Sequence, residues 1–173
     1  MRSSSRWPAA ADVSLWIAHA ERTISEEIPA APDAVRDFYV DLDNIKGLHP
    51  LVVSVDVLSH EQTSGGYHTT YRVRDRIPLG PVSLGIAYWA RVEVPSGGDV
   101  VTEARQFPAV RLAGTVSFRS IQTGTLLTER LHIAAPRLLA ELTQRQAVDA
   151  HVTMLAGIRR HFEKSKGSTE LTP

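Results

Sequence analysis

IPAAPDAVRDFYVDLDNIKGLHP, residues 28–50, is where the chain changes period. Just before it, ERTISEEI (21–28) alternates as a half-exposed strand does, and Pro29 ends that strand. Inside it, Val35, Phe38, Leu42 and Ile45 recur at the spacing of one helical face, while Pro32 and Asp33 supply first-turn chemistry. Two short helices are expected, with a break near Asp43 or Asn44. Beyond Pro50 the period returns to two: residues 51–133 read as six consecutive strands broken at 63–66, 78–81, 95–99, 108–109 and 123–124.

A hairpin must place both of its apolar sets on one face. A turn centred on 78–81 sets Val73 opposite Ile86 and Tyr71 opposite Tyr88. A turn at Thr123-Gly124 sets Val116 opposite Leu131 and Phe118 opposite Glu129. The faces agree in both hairpins, which predicts a curved antiparallel meander with one apolar surface. After Pro136 the sequence runs to Lys164 with no glycine or proline except Gly157, and Leu138, Leu142, Val148, Val152, Leu155, Ile158 and Phe162 fall near helical spacing. One amphipathic helix of about 28 residues, roughly 40 Å long, is expected there, with Val148, Val152 and Leu155 against the sheet.

The 173 residues, 43% hydrophobic, suit one domain with a sizeable core. Lys+Arg and Asp+Glu both number 19, so no charge excess announces a nucleic-acid partner. The absence of cysteine removes disulfides, thiolate nucleophiles and cysteine metal sites. Apolar runs fall short of the roughly 18 residues of a membrane span, so no stable membrane insertion is expected. The seven histidines are scattered over different elements; His151 and His161 stand about 80° apart around the helix, against a metal site. No dinucleotide fingerprint, Walker loop, nucleophile elbow or HExxH motif is present. No cofactor is indicated. Residues 1–19 read as an extension whose apolar part is broken by Pro8 and Asp12, unlike a secretory leader, so a cytoplasmic location is expected. Residues 20–165 form the domain and 166–173 a disordered tail.

A strand, two short helices, six antiparallel strands and a long C-terminal helix make an order that resembles the helix-grip fold of the START-like (SRPBCC) superfamily. That superfamily includes pollen allergens, lipid-transfer domains, polyketide cyclase/dehydrases and coenzyme-Q-binding proteins. The resemblance covers residues 20–165, and residues 28–50 carry its most specific part; Leu48 stands where a tryptophan is expected before His49-Pro50. It implies an α+β fold, a seven-stranded sheet wrapped around the C-terminal helix, with a hydrophobic ligand between them.

The face turned to that helix would carry Tyr67, Tyr71, Val73, Ile86 and Tyr88 from one hairpin. Val116, Phe118 and Leu131 would join them from the other, with Val152 and Leu155 from the helix. A mostly apolar lining with a few polar groups is the composition of a small-molecule site. Two carboxylates break the inward pattern, Asp75 and Glu129. Glu129, among Leu127, Leu131 and Phe118, needs a tyrosine or arginine partner from the facing strands, Arg105 or Arg111 among them. It is the sharpest candidate for acid–base work, with a tyrosine or a histidine as alternatives, though a purely supporting role is the commoner reason for such a residue. His49 and His151 are placed at the cavity rim. Arg72, Arg74 and Arg76 share the opposite, solvated face.

Three functions follow: a carrier of a lipid, isoprenoid or polyketide-like molecule, an enzyme of cyclase/dehydrase type, or an interaction module working through an exposed outer face near Trp89. A homodimer is compatible with each. Convergence of two or more ionisable groups deep in the pocket would favour the enzyme.

Overall fold

The computed structural model describes residues 16–169, with side chains through 166. Strand β1 (Ile17–Ile28) leads to helices α1 (Pro32–Val40) and α2 (Leu42–Lys46). Strands β2 (Val52–Thr63), β3 (Gly66–Leu79), β4 (Val82–Pro95), β5 (Val100–Gln106), β6 (Val110–Ile121) and β7 (Gly124–Pro136) follow, and α3 (Arg137–Thr169) closes the chain. The sheet has seven antiparallel strands in the order β1-β7-β6-β5-β4-β3-β2, so the first strand pairs with the last and the rest form a meander. This is the helix-grip arrangement. β1 begins three residues inside the expected extension, and α3 runs through Gly167 to Thr169, past its expected end at Lys164. Residues 1–15 and 170–173, the remainder of the expected extension and tail, lie outside the described residues.

The break between the short helices falls at Asp41, two residues earlier than expected. Its carboxylate accepts a hydrogen bond from the Asp43 N–H at 3.0 Å and caps α2, so the residue that ends α1 also starts α2. Both hairpins are shifted by two residues from the expected pairing. Val73 pairs with Tyr88 and Tyr71 with Ala90, around a two-residue Gly80-Pro81 turn. Val116 pairs with Glu129 and Phe118 with Leu127, around Gln122-Thr123. A slip of two restores the same alternation, so every side chain keeps its face. Gly124 fixes the second turn: its φ is 144°, and a Cβ there would come within 2.2 Å of the Ile28 carbonyl oxygen.

The core lies where α1, α2 and α3 meet the concave face. On α3 the buried positions include Ala140, Ala147, Ala150, Met154, Leu155 and Ile158, which fall on one side of the helix. Full burial of Leu155 and Ile158 contributes about 1.5–3 kcal/mol each. Val152 does not face the sheet; it is 46% exposed, because the buried stripe runs through Ala150 and His151 and leaves position 152 turned outward. Leu48 packs on Gly157, where a Cβ would stand 3.2 Å from it, so α2 and α3 close tightly at the position where tryptophan was expected. α3 packs mainly on β1 and β7 and stands away from the middle of the sheet. That separation makes room for a cavity.

Candidate functional site

The hollow between α3, α2 and β2–β7 has a volume of about 210 Å³. Its wall is largely aliphatic: Val52, Val55, Val73, Ile77, Ile86 and Leu131 from the sheet, Ala147 and Met154 from α3. At one side Gln146 of α3 donates a hydrogen bond to the Pro78 carbonyl at 3.0 Å, joining the tip of the β3–β4 hairpin to the helix. Of the side chains expected in the lining, Val73, Ile86, Tyr88, Leu131 and His151 are there. Tyr71, Val116 and Leu155 are instead part of the packed core. Phe118 packs edge-to-face on Tyr39 at 5.7 Å between centroids, and Tyr67 lies 5.0 Å from the His60 ring. Val152 points away.

Glu129 is fully buried, as the alternation requires, but its partners come from the helices and not from facing strands. His151 on α3 donates from Nδ1 to Oε2 at 2.8 Å, and the Tyr39 hydroxyl on α1 donates to Oε1. Arg105 and Arg111, the expected cations, are both on Glu103 at the surface, at 2.6 and 2.8 Å. Burial alone would push the Glu129 carboxyl up; the His151 charge and the two hydrogen bonds outweigh it and hold the carboxyl below its usual range. Burial likewise works against the His151 cation, and Glu129 outweighs it, so the imidazole titrates above its usual value. Burial and the Glu129 charge raise the Tyr39 hydroxyl well above its ordinary range, which keeps it a neutral donor. His49 lies 5.6 Å from the His151 ring, and burial and the His151 charge lower it to about 4, so it is neutral at pH 7.

Tyr39, His49 and His151 all line the cavity, so three ionisable groups border it around one buried carboxylate. His151 spends Nδ1 on Glu129 and leaves Nε2 without a hydrogen-bond partner among the described residues. An imidazolium fixed by a carboxylate in this way can give a proton to a bound molecule and be restored by solvent. Tyr39 was not singled out from sequence. The signal was its spacing of four from Val35, the other buried residue of α1.

The second polar inclusion is Asp75, 7% exposed, on the cavity wall. The Tyr88 hydroxyl donates to its Oδ2 at 3.0 Å, and Oδ1 is buried with no partner. Burial pushes this carboxyl up to about 6, only partly opposed by the Tyr88 hydrogen bond. Among the described residues no three His, Asp or Glu side chains converge as metal ligands would. No described helix is long and apolar enough to cross a membrane.

No family model matches the sequence, and no curated protein matches it. Solved structures do. The fold is that of START-like helix-grip proteins, a class that includes a START superfamily protein from Mycobacterium smegmatis, which matches with TM-score 0.59 and 13% identity over 84% of this chain and 97% of that one. The Zhui aromatase/cyclase from Streptomyces sp. R1128 matches with TM-score 0.60 and 16% identity over 83% of this chain and 94% of that one. The di-domain aromatase/cyclase BexL of the BE-7585A biosynthetic pathway matches with TM-score 0.65 and 19% identity over 84% of this chain. This chain spans 50% of BexL.

Proposed function

We propose that this protein binds a hydrophobic small molecule, of lipid, isoprenoid or polyketide type, in the cavity between the sheet and α3. The carrying observation is a hollow whose wall surface is mostly apolar, with polar side chains set into it, the composition by which small-molecule sites combine affinity with orientation. The shared fold with aromatase/cyclase proteins supports the same reading. An apolar fluorescent probe should bind with about one site per chain, and Ile86→Trp, which fills the hollow, should weaken it at least about tenfold. Probe binding unaffected by Ile86→Trp would contradict the proposal. Tyr71 and Phe118 are unsuitable for this test because they pack in the core and do not line the hollow.

A second reading has its own observation. The Tyr39–Glu129–His151 constellation favours acid–base chemistry on the bound molecule, with the His151 imidazolium as proton donor through Nε2 and Glu129 orienting it. Glu129→Gln keeps the shape but removes the charge, so it should leave probe binding intact and abolish turnover of a polyketide-like substrate. Turnover retained in that variant would leave the carrier alone. The interaction reading has less support: Trp89 is 64% exposed on the outer face, but its strand neighbours are Arg72 and Arg105, so it stands between charges.

A further inference from the structure

Asp75 sits mid-strand on β3, across from Val52 of β2 and Ile86 of β4, with Val73 and Ile77 two residues away on the same strand face. All four of these apolar neighbours line the cavity, and so does Asp75. A carboxylate in such a ring needs every lone pair satisfied. Tyr88 satisfies one oxygen, and Oδ1 is buried without a partner. No arginine, lysine or histidine is in ion-pair contact with it among the described residues, in contrast to Glu129. The fold therefore places in the cavity wall, among four aliphatic neighbours, a carboxylate with one oxygen for which the described residues supply no donor.

We infer that Asp75 Oδ1 is a specificity-determining contact for the ligand, and that the ligand is an apolar molecule carrying a hydroxyl that donates a hydrogen bond to this oxygen. A neutral hydroxyl fits better than an ammonium group, because burying a cation in this aliphatic hollow would add a second desolvation cost beside that of the carboxylate. The inference rests on the cavity being a ligand site, and adds which chemistry that site selects. Tyr88 is the positioning residue: its hydroxyl fixes the carboxyl group through Oδ2 and leaves Oδ1 unpartnered. A hydrogen bond to a charged acceptor in a dry site discriminates against a molecule that lacks the donor, since that molecule leaves the oxygen orphaned.

The test compares 2-naphthol with 2-methoxynaphthalene, which have the same ring system and differ in the donor, by intrinsic fluorescence titration of the folded protein. Wild type should bind the naphthol roughly tenfold more tightly than the ether, the discrimination typical of one charged hydrogen bond. Asp75→Leu should bind the two alike. Asp75→Asn is isosteric and keeps the test open should the leucine variant not fold. Its amide can hold Tyr88 through the oxygen and turn N–H toward the cavity, so the preference for the naphthol should be lost or reversed. Equal binding of both molecules by wild type, or a preference that survives in both variants, would overturn the inference while leaving the cavity a ligand site. Binding of neither molecule, nor of an apolar probe, would overturn the cavity reading with it.

Discussion

Asp75 and Glu129 occupy equivalent kinds of position: each is a carboxylate on the concave face of a strand one in from the edge of the sheet, β3 and β7, and each is nearly or fully buried. Their electrostatics are opposite. Glu129 is met by an imidazolium and a phenol and stays ionised below the ordinary carboxylate range; Asp75 is met by one phenol and is pushed up to about 6. Burial penalises both, so the partner decides the outcome. Glu129 is closed upon itself by the protein, whereas Asp75 is left with an oxygen for something else to satisfy.

The largest expected effect comes from breaking the closed site. His151→Leu leaves Glu129 buried without its cation and should cost about 3–5 kcal/mol in urea denaturation at pH 7. A loss under about 1 kcal/mol would mean that Glu129 is not held as a buried charge.

The pH dependence of stability separates the two carboxylates next. The folded state raises Asp75 above its ordinary 3.8, so its contribution is fully present below that value and is lost as pH rises through about 6. Glu129 is lowered, so its contribution is present above its ordinary 4.5 and is lost as pH falls through its folded value. Asp75→Asn should therefore gain stability relative to wild type, on the order of 2–3 kcal/mol, between about pH 4 and pH 7. Parallel curves for the two proteins would place Asp75 in water.

A smaller change is expected from the phenols. Tyr39→Phe removes a hydrogen bond to a charged acceptor and should cost about 1.5–3 kcal/mol at pH 5, while Tyr88→Phe, whose partner Asp75 is protonated below about 6, should cost about 1 kcal/mol at that pH. Equal losses in denaturation experiments would erase the distinction between the two sites.

The inward placement of both carboxylates was legible in the sequence, because a period of two survives even a register error of two residues. The partners of Glu129 were not. Tyr39 and His151 approach from α1 and α3, and the rotation of a helix about its own axis is set by packing, which the local pattern does not encode. Val152 shows the same limit: of the branched aliphatics on α3, Leu155 and Ile158 are buried but Val152 is not, and toward the cavity the buried positions are Ala147, Ala150 and Met154, small or unbranched side chains that leave room for it. Residues 28–50 were the most informative stretch, since a change of period with turn chemistry at Pro29, Pro32 and Asp33 is a local property. The exact break at Asp41 depends on one capping hydrogen bond, which the local pattern around Asp43 and Asn44 does not reveal.

The contrast between the two carboxylates is tested most directly by following the side-chain carboxyl carbons of Asp75 and Glu129 by NMR as pH is varied. Asp75 should titrate near 6, and Glu129 should remain ionised to below 4.5, inverting the order of the ordinary values for aspartate and glutamate. Glu129 titrating above Asp75 would contradict the paired and unpaired assignments together.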